Sequence, residues 1–239
     1  MPDTATQSRL ISLFSKIAMG CLVAMPLSVL AVRLGVHFGI GLGVFALSGL
    51  IGLIAVLVLV IVSLLPRYRE ERGRALRSSA PALPPALLLV AVLSTGGQYP
   101  PIHDITTDTE NPPTFDSGVY YRGEGANTVA IKPEVIDVQK QHYPELQTLR
   151  SDLDADAAFI RAGEVAEAMG WEVYNSDPTN GRIEASSTSF WFGFTDDIVI
   201  RVSRAAEGDT LIDLRSVSRV GQGDLGANAA RIKAFMDQF

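Results

Sequence analysis

The chain has 239 residues, 47% of them apolar, a mean hydropathy of +0.22 and a formal net charge of −6. The charge is divided: residues 1–98 carry eight Lys or Arg against three Asp or Glu, a net of +5, and residues 99–239 carry twelve against twenty-three, a net of −11. The acidic part lacks the clustered cations that nucleic-acid binding needs, and the lone cysteine, Cys21, sits in the first apolar run, so the acidic part has no internal disulfide.

The N-terminal 98 residues read as a membrane anchor. Between residues 17 and 65 only Arg33 and His37 interrupt a run of apolar and small side chains. Two spans are expected, over about 11–32 and 40–64, with Lys16 close enough to an end to reach the headgroups. Residues 33–37 form the connection. Gly35, Gly39 and Gly43 recur at four-residue spacing, followed by Gly49 and Gly52, a pattern that lets another helix approach closely. Next comes "RYREERGRALR", residues 67–77, with five arginines, expected as a cytoplasmic loop by the positive-inside rule. A third span is expected over about 81–97. Pro81, Pro84 and Pro85 crowd its start, where proline is tolerated in the first helical turn. If this run crosses, the C-terminal domain lies outside the cytoplasm. "AMGC", ending at Cys21, lacks the leucine of a lipoprotein cleavage box, so Cys21 reads as a buried membrane cysteine.

Residues 99–239 read as a separate α+β domain of two layers, an antiparallel sheet covered on one side by two helices. The stretch 98–149, broken by six prolines, is expected as an extended segment along the domain surface. "SDLDADAAFIRAGEVAEAMG" is a helix capped by Ser151 or Asp154, with Phe159, Ala162, Ala166 and Met169 on one face and Gly170 at its end. "WEVYNSDPTNGRIEASS" is a hairpin turning at Asp177, Pro178, Asn180 and Gly181. "DDIVIRVSR" alternates Ile198, Ile200 and Val202 with Val199, Arg201 and Ser203, and "TLIDLRSVSRV" alternates Ile212, Leu214 and Val220 with Asp213, Arg215 and Arg219. Glu207, Gly208 and Asp209 turn between them. Asp224 caps a last helix whose Leu225, Ala229, Ile232 and Met236 share a face. "FWFGF", residues 190–194, is expected to pack in the core and sheet rather than to form a ligand platform, the alternative being that an exposed part of it contacts lipid or a partner.

The motifs "IHDITTD", "NPPTF", "FGFTDDIVIRV" and "SRVGQGDLGANAARI", in that order, resemble the bacterial DUF1499 family over about residues 100–239. The apolar N-terminal part is similar to the membrane anchors some members carry. The resemblance implies a bacterial, envelope-associated protein and brings no catalytic residues with it.

Two groups of residues are candidates for a site. Arg201, Arg215 and Arg219 lie in phase on the two paired strands and form a candidate basic patch for a phosphate or carboxylate headgroup; the alternative is a sheet face with ion pairs to Glu184 or Asp213. His103, Asp104 and Asp108 are loop candidates. With Glu110, the two aspartates offer carboxylates to a hard cation, but without the spacing or central glycine of an EF-hand, and a strap held by side-chain to backbone turns is the competing reading. The glycine turn "SRVGQGDLG" lacks a phosphate-loop signature, and no nucleophile elbow is present. The expectation is a membrane-anchored envelope protein, with no cofactor, whose partners are a membrane lipid or an envelope protein and not nucleic acid. The alternative is a periplasmic metal-assisted hydrolase using His103, Asp104 and Asp108.

Overall fold

The computed structural model describes residues 4–206 and 208–239 and divides between Gly97 and Gln98 into two compact units. In the first unit, helices α1 (Thr4–Arg33) and α2 (Phe38–Leu64) form a hairpin. Gly35, at φ +95, closes α1: the N–H of Val36 donates to Ala31 O and that of Gly35 to Val32 O, the pattern of a Schellman end. His37 caps α2 by accepting the N–H of Gly39 at Nδ1, 3.1 Å away.

The arginine-rich stretch expected as a loop is helical. A 3₁₀ turn over Pro66–Glu71 leads into α3 (Arg72–Ser79), a second 3₁₀ turn over Ala80–Ala82 absorbs Pro81, and α4 (Leu83–Gly96) begins with Pro84 and Pro85 in its first turn. Proline costs little there, because first-turn N–H groups have no intrahelical acceptor. Among the described residues three helical rods are long and apolar enough to cross a membrane: Arg9–Arg33, Phe38–Leu64 and Pro66–Gly96.

Small side chains set the contacts between these rods. Ala18, Ala55 and Ala82 meet in one buried cluster, and Ile11, Leu59, Val62, Tyr68 and Ala75 in another. Of the expected glycine pattern, Gly49 and Gly52 make the close approach to another rod, whereas Gly39 and Gly43 of the four-residue repeat do not. A Cβ on Gly43 would meet nothing within 4 Å and one on Gly39 only the ring of His37, whereas one on Gly49 would lie 2.7 Å from Leu89 Cβ and 3.1 Å from Pro85 O. Gly52 sits against Pro85 and Ala82 in the same way. Thus α2 and α4 pack through Gly49 and Gly52.

The second unit is a six-stranded antiparallel sheet with helices. Its strands are β1 (Asp104–Thr106), β2 (Leu149–Ser151), β3 (Glu172–Asp177), β4 (Arg182–Thr188), β5 (Thr195–Arg204) and β6 (Thr210–Ser218). Strands β3 to β6 form a meander, and β1 and β2 share the outer edge of β6, β1 opposite Arg215–Val217 and β2 opposite Thr210–Ile212. Of the turn between β5 and β6, Glu207 lies outside the described residues. The helices are α5 (Gly118–Tyr121), α6 (Pro133–His142), α7 (Ala155–Ala168) and α8 (Ala227–Gln238). The segment expected to be irregular therefore contains β1, α5 and α6.

Alternation decides what each face does. Ile183, Ala185, Ile198, Ile200, Val202, Ile212 and Leu214 are buried with α7 and α8 in one core. Helix α7 starts at Asp154, whose Oδ1 accepts the N–H of Ala157 at 2.8 Å, a cap that contributes about 1 kcal/mol; Gly170 follows its end at φ +73. Helix α8 buries Ala229, Ile232 and Phe235, and Phe235 stacks on Trp171 at 5.6 Å. Leu225, expected on that face, is exposed at φ 54 in the turn before the helix, where Asp224 accepts the N–H groups of Gly226 and Asn228.

Candidate functional site

The second face of the sheet carries charge. Strand phase puts Asp197, Val199 and Arg201 of β5 beside Asp213, Arg215, Val217 and the following Arg219, with Glu184 on β4 next to them. Residues 107–131 run over this face as a strap, and three groups of ion pairs lie beneath it, some within the sheet and some joining sheet to strap. At one end Arg201 Nη2 donates to Asp213 Oδ2 at 2.7 Å and to Asp108 Oδ2 at 2.8 Å, while its Nη1 donates to Asn111 O. Asp213 also accepts the hydroxyls of Thr107 and Thr148.

In the middle, Arg215 makes a two-pronged bond to Asp104, Nε to Oδ1 at 2.9 Å and Nη2 to Oδ2 at 2.7 Å. It also donates to the carbonyls of Pro113 and Val129 and lies over the ring of Phe115. At the other end, Asp197 is shared by Arg122, from the strap, and Arg219, whose Nη2 is 2.7 Å from Asp197 Oδ1. Beside them Glu184, fully buried, accepts the backbone N–H groups of Asp116 at 2.5 Å and Gly118 at 2.7 Å. Gly118 has no room for a side chain: a Cβ would lie 2.7 Å from Tyr174 Oη and 2.9 Å from Phe115.

The electrostatics follow from burial. The Arg122 guanidinium is pushed below its ordinary value by burial, against the pull of Asp197, and remains charged. Arg219 is raised, first by its hydrogen bond to Asp197. Burial raises the Tyr174 phenol, and the nearby Asp197 and Glu184 carboxylates raise it further. Tyr174 Oη and Arg122 Nε are the two buried side-chain polar atoms without a hydrogen-bond partner among the described residues.

The loop and strand candidates are thus placed in detail. Arg201, Arg215 and Arg219 share the expected face, and each is engaged by a carboxylate of the same domain; the pair of Arg201 with Asp213 is the cross-strand alternative, and Glu184 turns to the strap's backbone instead of an arginine. Asp104 and Asp108 are held by two different arginines, His103 Nδ1 lies 3.2 Å from Gln222 O, and Glu110 pairs with Lys140. Among the described residues no group of three His, Cys, Asp or Glu side chains is arranged to hold a metal ion. Two clefts of this domain lie elsewhere, one of about 310 Å³ along α6 from Gln139 to Gln147 and one of about 480 Å³ beside the β3–β4 turn, and neither is lined by these arginines.

Sequence reasoning missed Arg122, Tyr174 and Asp197. Only Asp197 carried a signal, its phase with Arg201 on β5. It also misplaced part of "FWFGF". Phe192 and Phe194 stack at 5.3 Å and are half-buried, but Phe190 is 85% exposed and Trp191 56%, because Gly193 at φ +70 closes a tight β4–β5 turn that lifts both away from the sheet.

Residues 104–239, more than half of the chain, match the model of the family described as "Protein of unknown function (DUF1499)". No curated protein is similar enough to count as a relative. The matched segment runs from Asp104, the partner of Arg215, through the whole sheet to the end of α8. By that match the chain belongs to the DUF1499 family.

Proposed function

We propose that this protein is anchored in the inner membrane of a bacterial cell by its three N-terminal helices and presents its acidic α+β domain on the periplasmic side, where the domain binds a partner protein or an envelope lipid. The observation that carries this reading is how the domain uses its polar side chains. The residues that would be recruited for chemistry, Arg122, Arg201, Arg215, Arg219, Asp104, Asp108 and Asp197, are engaged in ion pairs within the sheet and between sheet and strap. What the domain offers outward is an acidic surface and an aromatic turn. The five arginines of residues 67–77 favour a cytoplasmic position for the start of the third rod, which puts its other end and the domain across the membrane.

Native mass spectrometry of the full-length protein, released gently from its own membrane, tests the binding role. Added mass equal to a lipid or a second protein supports it. A bare chain, together with no crosslinked partner in intact cells, contradicts it. A phosphatase fused after Phe239 tests orientation, since it is active only outside the cytoplasm.

A further inference from the structure

Eleven consecutive residues, 185–195, carry no charge on a domain whose net charge is −11. They form the end of β4, the tight turn and the first residue of β5. At the tip, Phe190 and Trp191 meet edge to face at 6.1 Å and are the most exposed part of a cluster of four aromatic rings. The turn is closed from within. The N–H of Ser189 donates to Phe194 O at 2.7 Å, that of Gly193 to Ser189 O at 3.2 Å and that of Phe194 to Ser189 Oγ at 3.0 Å.

This combination suits one environment. Phe and Trp side chains on a turn closed by three of its own N–H groups, within an uncharged run of eleven residues, suit the bilayer interface, where aromatic rings settle at headgroup depth and unpaired backbone groups are costly. The chain also keeps lipid within reach: seven residues, 97–103, join α4 to β1 and extend to at most about 25 Å. The acidity of the domain selects the kind of surface, because an anionic leaflet repels it and a neutral one does not.

We propose that the β4–β5 turn, residues 189–194, is a membrane-docking wedge that inserts Phe190 and Trp191 into the interfacial layer of a neutral lipid surface. The inference rests on the membrane-anchored reading above and names the element that makes the contact.

Fluorescence of the full-length protein in phosphatidylcholine bilayers tests it. Trp171 is buried in the domain core, so the difference between the native protein and Trp191→Phe isolates Trp191. The expected result is a blue-shifted Trp191 emission, quenched severalfold more by a nitroxide at shallow acyl depth than by one at the bilayer centre, and shielded from aqueous iodide. Phe190→Asp, at an exposed position, should return Trp191 to water, and anionic lipid at low salt should weaken the shallow quenching. Red-shifted emission open to iodide and indifferent to lipid nitroxides overturns the proposal. Blue-shifted emission protected from both quenchers and dependent on protein density also overturns it, in favour of contact between copies. In either case, lipid or protein mass retained by the native protein would leave the broader binding role standing, whereas a bare mass with no crosslinked partner in intact cells would remove both.

Discussion

Arg215 on β6 and Asp104 on β1 face each other through two parallel hydrogen bonds of 2.9 and 2.7 Å, joining positions 111 residues apart and closing the first strand of the domain onto its last. Arg215 is 2% exposed. Its charge is compensated by one carboxylate of β1 and two strap carbonyls, so the pair ties β1 to β6 and fixes Arg215 where it holds the strap.

Removing one partner should therefore cost more than removing both. Asp104→Ala leaves a buried guanidinium unpaired and is expected to destabilise the protein by about 3–5 kcal/mol, whereas Asp104→Leu combined with Arg215→Met should recover much of that loss. Urea unfolding of the two variants in detergent is the check. A single variant that retains native stability would show that the pair does not hold β1 to β6.

Tyr174 makes the opposite prediction. Its hydroxyl is buried without a partner, so Tyr174→Phe is expected to raise stability at neutral pH by about 1 kcal/mol. Its folded pKa is raised by burial and then by Asp197 and Glu184. A raised pKa contributes stability below the unfolded value, about 10, and loses it as pH rises beyond that. The alkaline decline of the native protein should consequently begin near pH 10 and be weaker in Tyr174→Phe. Destabilisation by the substitution would mean that the hydroxyl is satisfied by a buried water.

Asp108 governs the acid side. Burial raises its carboxyl, but bonds from the Asn111 N–H, Arg201 and the Glu110 N–H outweigh this, and the net shift is downward. A depressed folded pKa stabilises above the unfolded value of about 3.9 and is lost as pH falls through the folded one. Asp108→Asn should cost about 1–2 kcal/mol at pH 7 and less at an acid pH below the unfolded value. Denaturation midpoints at the two pH values decide this, and an equal cost at both would contradict the assignment.

The sequence was most legible where periodicity and caps acted locally. The alternation in "DDIVIRVSR" and "TLIDLRSVSRV" marked β5 and β6 and put Arg201, Arg215 and Arg219 on one face, and Asp154 and Gly170 marked the ends of α7. Less was visible where long-range partners decide. Strands β1 and β2 have three residues each and exist because β6 offers an edge; β1 is further held by Gln139, whose side chain bonds both the N–H and the C=O of Thr106. Arg122 lies 75 residues from Asp197 and Tyr174 is tied to α5 only through packing, relations with no spacing signature. Of the glycine pattern, Gly49 and Gly52 meet α4 and the four-residue repeat does not, because which helix face meets a neighbour is set by the third rod.

That last point has its own test. Gly49→Ala places a Cβ 2.7 Å from Leu89 Cβ and should lower the melting temperature in detergent by several degrees, while Gly43→Ala, with open space around it, should change nothing or stabilise slightly. Equal effects would place the α2 contact elsewhere.

The strap closes the arginine face of the sheet. Hydrogen exchange of the full-length protein reads this directly at the strap amides that bond to the sheet or to its side chains: Thr107 to Leu214, Asp116 and Gly118 to Glu184, and Asn127 to Arg219. These amides are expected to exchange as slowly as those of β5 and β6, by the same opening. Strap amides that exchange orders of magnitude faster than a protected sheet would contradict it, and would show that Arg201, Arg215 and Arg219 face an open site.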